Sequence, residues 1–87
     1  MTSPKLPREG DRKFDVLCAV HEHWKDARHG PTLEEIRDTV GLGSRSTVQF
    51  HINDLLSDGY LDHVPGKRRT LKTTKRGDLL IKIVKES

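Results

Sequence analysis

The stretch "VGLGSRSTVQFHINDLL", residues 40–56, constrains the fold more than any other part of this chain. Gly41 and Gly43 flank one leucine, and each glycine costs a helix interior about 1 kcal/mol relative to alanine, so a helical pattern must break there. Ser44 or Ser46 then supplies a hydroxyl able to cap a new helix. On a wheel of about 100° per residue, Ile52, Leu55 and Leu56 fall within roughly 80° of Val48 and form an inward stripe. Ser46, Phe50 and Asn53 lie on the far side, with Thr47, Gln49 and Asp54 flanking. Two helices must therefore meet across a tight turn, the second showing solvent a polar face interrupted by one aromatic ring.

The flanking sequence fits around that unit. Phe14, Leu17, Cys18, His21 and Trp24 recur at three- and four-residue spacing, which predicts a helix from Asp11 to about Asp26. "RHGP" ends it, with Gly30 as the stop and Pro31 preventing continuation. Thr32 followed by Glu35 reads as a capping box opening a short second helix, with Leu33, Ile36 and Val40 inward. After the third helix, Gly59 takes the left-handed C-terminal position. "YLDHV" and "RTLKT" are short strands around "PGKR", where Pro65-Gly66 fits the centre of a tight turn. Residues near Pro31-Thr32 are placed to add a third short strand. Thr73 or Thr74 caps a last helix with Leu79, Leu80, Ile83 and Val84 apolar.

The expected fold class is mainly α with a small β-hairpin, a winged helix-turn-helix with a three-helix core, a wing and a C-terminal helix. At 87 residues there is room for one domain. Residues 1–10, with Pro4, Pro7 and Gly10 among charges, are expected to form a flexible arm. Residues 11–87 are expected to form the domain, its wing at about 60–73 and its last helix at about 74–86.

The net charge of +3 conceals an uneven distribution. Residues 1–64 carry 8 Lys/Arg against 11 Asp/Glu, whereas residues 65–87 carry 8 against 2. Such a basic edge on a near-neutral body is what a phosphate-binding surface requires. Cys18 is the only cysteine, so neither an intrachain disulfide nor a cysteine-based zinc site can be built. The five histidines lack metal-ligand spacing, and no phosphate loop or nucleophile arrangement is present. No enzyme activity, cofactor, metal or small-molecule ligand is expected. No apolar run is long enough for a membrane span, and the expected location is the cytoplasm of a bacterial or phage-infected cell, on the nucleoid.

The expected partner is double-stranded DNA, bound as a transcriptional regulator, most simply a repressor. The outward face of the third helix would enter the major groove with Ser44, Arg45, Ser46, Thr47, Gln49, Phe50 and Asn53. Gln pairs bidentately with adenine, Ser and Thr bond several base edges, and Phe packs on a thymine methyl. Lys67, Arg68 and Arg69 at the hairpin tip would reach backbone phosphates or a minor groove. A protein-docking winged helix is the alternative, with Phe50 as its anchor. A homodimer is left open: Leu79, Leu80, Ile81, Ile83 and Val84 offer either an interface with a second copy or a face against the first helix.

The run "GPTLEEIRDTVGLGSRSTVQFHINDLLSDGYLDHVPGKRR" resembles the N-terminal DNA-binding domain of LexA-type SOS repressors, over roughly residues 12–71. That resemblance implies groove-reading roles for Ser44, Ser46, Thr47, Gln49 and Phe50, and a core role for His51. It also implies a different operator, because the family carries an acidic pair where Gln49 and Phe50 stand. The family's cleavage site and serine-lysine peptidase dyad have no counterpart in these residues, so the resemblance does not extend to self-cleavage. The ending "LKTTKRGDLLIKIVKES" is similar instead to MarR- and PadR-like winged helices, which implies a helix returning after the wing.

Overall fold

Residues 11–86 are described by the computed structural model; the expected arm at residues 1–10 lies outside them. Helix α1 (Arg12–Ala27) is followed by α2 (Leu33–Val40), α3 (Arg45–Ser57), strands β1 (Leu61–Asp62) and β2 (Lys72–Thr73), and α4 (Lys75–Glu86). The strands pair antiparallel with Leu61 opposite Thr73 and Asp62 opposite Lys72. This is the winged helix-turn-helix order, with α4 returning against α1.

Local chemistry sets most of the helix ends. The Thr32 hydroxyl accepts from the Glu35 N–H at 3.1 Å while the Glu35 carboxylate accepts from the Thr32 N–H at 2.8 Å, completing the capping box of α2. Ser44, rather than Ser46, caps α3 by accepting from the Thr47 N–H at 3.3 Å. At the other end of α3, the Gly59 N–H bonds the Leu56 carbonyl at 3.2 Å and the Tyr60 N–H bonds the Leu55 carbonyl at 2.9 Å. With Gly59 at φ 82° this is a Schellman ending. Thr74, not Thr73, caps α4 through the Gly77 N–H at 3.1 Å.

The core gathers Phe14, Val16, Leu17, Ala19 and Val20 of α1, Ile36 of α2, and Val48, Ile52 and Leu55 of α3. Tyr60, Leu61 and Ile81 close it from the wing and α4. Helix α1 buries a wider arc than its predicted stripe, adding Val16 and Val20 and leaving Cys18, His21 and Trp24 half-buried, because α2, α3, β2 and α4 all pack on it. Helix α4 divides its apolar residues: Ile81 is buried, Leu80 and Val84 lean on the core, and Leu79 and Ile83 remain 57 % exposed.

Three sequence expectations are corrected. Arg28, at φ 59°, takes the left-handed position after α1, with its N–H on the Trp24 carbonyl at 3.2 Å. Gly30 has another task, since a Cβ there would sit 2.6 Å from the Leu71 carbonyl oxygen and 2.9 Å from the Arg69 carbonyl carbon. The third strand near Pro31 reduces to one bond, Gly30 N–H to Arg69 C=O at 2.8 Å. The two wing strands are also shorter than expected: the Asp62 carboxylate takes the His63 N–H at 2.8 Å, Pro65 has no N–H to give, and Arg69 turns left-handed at φ 56°.

Candidate nucleic-acid interface

The outward face of α3 is a polar surface over a locked interior. Val48 and Leu55 have no exposure and Ile52 has 4 %, which fixes the rotation of the helix, while Ser44, Arg45, Ser46, Thr47, Gln49, Phe50 and Asn53 are all exposed. The first turn of α3 holds no acidic residue, so its free amides and positive dipole end stay available to a phosphate. Phe50 is 64 % exposed and touches only the edge of His51 among rings, with centroids 5.9 Å apart. The Gln49 amide donates to the Asn53 side-chain carbonyl at 2.8 Å. Arg45 lies 3.7 Å from Glu34 of α2. An exposed pair of this length contributes well under 1 kcal/mol, so the guanidinium can exchange it for a phosphate.

The acids at the C-terminal end of α3, Asp54 within it and Asp58 at its C-cap, are handled from a distance. Lys13 of α1 places its ammonium 3.0 Å from Asp58 and 3.8 Å from Asp54. That cation masks the charge the C-terminal half of α3 would otherwise present to phosphates.

The wing is organised by side chains more than by strand pairing. Val64-Pro65-Gly66-Lys67 forms a tight turn closed by the Lys67 N–H on the Val64 carbonyl at 3.1 Å, with Gly66 at φ 79° as a type II turn requires. The Thr70 hydroxyl accepts from the Val64 N–H at 2.9 Å and faces the Val64 and Lys67 carbonyls at 3.3 and 3.2 Å. The Trp24 indole N–H donates to the Leu71 carbonyl at 2.6 Å, tying the returning strand to α1.

Arg69 behaves differently from its neighbours. Its guanidinium lies 3.2 Å from the Glu35 carboxylate and 3.2 Å from His29 Nδ1, directed back at the entrance of α2. The Thr32 backbone N–H holds the Glu35 carboxyl below the usual glutamate range, opposed by partial desolvation and aided by the Thr32 hydroxyl, Arg69 and His23. Lys67 and Arg68, by contrast, have no hydrogen bond or ion pair from their side chains among the described residues. Of the three cations expected at the tip, two project freely and the third anchors the base of the wing, its hinge, at the entrance of α2.

Helix α3 and the wing enclose a groove of about 550 Å³, with Gln49, Ile52 and Leu56 on one wall and Lys67, Arg68 and Arg69 on the other. Pro31 and Leu33 line it as well. The remaining expected readers, Ser44, Arg45, Ser46, Thr47, Phe50 and Asn53, lie outside this lining. Sequence reasoning missed His63 and Thr70, which also line it; a threonine directly after "GKRR" carries no signal of its own, because its partners are backbone groups across the turn. Among the described residues no group of three His, Cys, Asp or Glu side chains could hold a metal ion, and no helix is long and apolar enough to cross a membrane.

The family model of the LexA DNA binding domain matches residues 10–70, a span that takes in α1, α2, α3 and β1 and ends before β2. The LexA repressor of Limosilactobacillus reuteri is 39 % identical over 67 residues, covering 77 % of this chain and 32 % of that protein. The LexA repressor of Limosilactobacillus fermentum is 41 % identical over 73 residues, 83 % of this chain and 35 % of the relative, and that of Oenococcus oeni 35 % over 66 residues, 76 % and 31 %. The chain thus spans about a third of the length of the curated relatives it matches.

Proposed function

Because the chain belongs to the LexA DNA-binding domain family, we propose that it binds double-stranded DNA as a transcriptional repressor. Helix α3 reads the major groove, and the wing grips the backbone or adjacent minor groove. The observation that carries this reading is the groove across which Gln49, at the edge of α3's exposed polar face, meets the unengaged Lys67 and Arg68.

The division of labour follows from side-chain chemistry. Lys67, Arg68, Arg45 and the first amides of α3 neutralise phosphates and set the register. Ser46, Thr47 and Gln49 bond base edges, and Phe50, too exposed to stabilise the fold, covers a thymine methyl. Arg69 contributes by holding the wing rather than by touching DNA.

The role is one of binding, without catalysis, in the cytoplasm on the nucleoid. A second copy of the chain is the further partner proposed, and Leu79 and Ile83 are the part of α4 open to it. The alternative of a protein-docking winged helix gains no support from the relatives.

A salt titration against mixed-sequence and selected duplexes tests the proposal. Affinity should fall steeply as salt rises, because each neutralised phosphate releases counterions. No binding at low salt, or affinity indifferent to salt, would remove DNA as the partner.

A further inference from the structure

We propose that Asn53 is a positioning residue for base reading, holding the Gln49 amide so that the edge complementary to adenine faces outward. The inference rests on the DNA-binding reading above and deepens it, since it names the base and the residue that makes its recognition selective.

The geometry is a contact one helical turn long. Gln49 and Asn53 stand four residues apart on the same exposed edge of α3, where side chains meet, and Gln49 Nε2 donates to Asn53 Oδ1 at 2.8 Å. A glutamine amide has one acceptor oxygen and two N–H protons. With one proton committed to Asn53, Oε1 and the second N–H remain unspent side by side. That acceptor-donor pair is what adenine's N6 amino group and N7 require.

Orientation matters because an amide turned by half a revolution exchanges its oxygen and nitrogen. Against adenine, the reversed amide would set Oε1 at N7, two acceptors facing each other, and its N–H at the amino group, two donors. A glutamine free to rotate would sample both orientations and tolerate other bases. Asn53 disfavours the reversed one, since Oε1 turned toward Oδ1 would again oppose two acceptors unless the Asn53 amide turned with it, so two side chains rather than one must reorient. The helix beneath is immobilised by Val48, Ile52 and Leu55, so the pair is presented at a fixed angle. Gln49 also lines the groove shared with the wing, whereas Asn53 lies outside it. Contact through Gln49 is therefore the more direct account of Asn53.

Selection of bound duplexes from a random pool, followed by competition among single-base variants of the selected site, tests this. Gln49→Ala should abolish an adenine preference at one position. Asn53→Ala should reduce the preference at that same position roughly threefold to tenfold, the scale of leaving one long side chain unordered before binding, and the double variant should lose no more than Gln49→Ala alone. Asn53→Asp keeps an acceptor beside Gln49 and should retain the adenine preference while lowering affinity for every sequence. Both positions are exposed, so circular dichroism and urea midpoints should match the unmodified chain.

The inference is overturned if Asn53→Ala leaves the profile unchanged, if it shifts a different position or adds independently to Gln49→Ala, or if Asn53→Asp loses the adenine preference as fully as Asn53→Ala. An unmodified chain that retains no duplex from the pool would instead overturn the DNA-binding reading, a result distinct from any of these profiles.

Discussion

Helix α3 and the wing face one groove, yet they are fastened to the molecule by different means. Three side chains buried to 4 % exposure or less lock α3 from beneath, a serine caps its start, and a Schellman ending closes it at Gly59. Close backbone approach reinforces that end of the molecule: a Cβ on Gly77 would strike the Tyr60 carbonyl and come within 3.4 Å of Leu17. The wing has two paired residues on each strand and depends on Thr70, on Arg69 directed at Glu35, and on the Trp24 bond to Leu71. A reader of base edges needs fixed angles, because directional hydrogen bonds fail when misaligned. A cation meeting phosphates needs reach more than orientation. The difference in fastening follows the difference in task.

The largest expected effect tests the lock on α3. Leu55→Ala should cost about 2–5 kcal/mol of stability, the range for truncating a fully enclosed leucine, measured by urea unfolding. A loss below about 1 kcal/mol would mean the core does not hold the helix, and the contrast with the wing would collapse. Next in size is the joint replacement Lys67→Ala and Arg68→Ala. It should weaken binding to all duplexes and flatten the slope of log affinity against log salt by about 2, near 0.9 for each phosphate that is no longer neutralised. Stability should change by less than about 0.5 kcal/mol, as expected of exposed side chains without partners.

Arg69→Ala sharpens the comparison from the other side. Its ion pair with Glu35 is half exposed, so removing it should cost no more than about 1 kcal/mol. The left-handed backbone at φ 56° would remain. The salt slope should stay within about half a unit of the unmodified chain. If Arg69→Ala instead flattens the slope by about as much as a single phosphate does, Arg69 belongs with the free tip, and the separation between hinge and tip is wrong.

What the sequence discloses follows the range of the interactions involved. The capping box at Thr32 and Glu35, the left-handed Gly59, the Pro65-Gly66 turn and the Val48–Ile52–Leu55 stripe each depend on residues within a few positions of one another. Periodicity and turn chemistry reveal them. Gly30 is legible as a special position but not for the right reason: its neighbours Leu71 and Arg69 are some forty residues away, and Arg28 ends α1 in its place. Lys13 against Asp54 and Asp58 is likewise a long-range pairing that no local pattern encodes. The ten expected interface residues are all exposed, as the helical wheel and the turn predict. That Arg69 turns away from Lys67 and Arg68 depends on a single left-handed residue, and arginine gives no warning of one.

The smallest effect concerns pH and falls on the hinge. The Glu35 carboxyl is held below the usual glutamate range chiefly by the Thr32 N–H, and the same carboxylate receives Arg69. A carboxyl whose folded pKa lies below its unfolded value contributes stability that is present above the unfolded pKa and disappears as pH falls through the folded one. Acid should therefore weaken the carboxylate half of the α2 capping box, leaving the Thr32 hydroxyl bond in place, and loosen the guanidinium that anchors the wing, while the buried stripe of α3 is untouched. Hydrogen exchange should show this as faster exchange at the Gly30 amide, which bonds the Arg69 carbonyl at 2.8 Å, relative to the Ile52 amide within α3, as pH is lowered below the ordinary glutamate range. Glu35→Gln should show the faster Gly30 exchange already at neutral pH, and little further change on acidification. If Gly30 and Ile52 instead lose protection together, wing and reading helix open as one unit, and their separate fastening has no consequence for the motion of the interface.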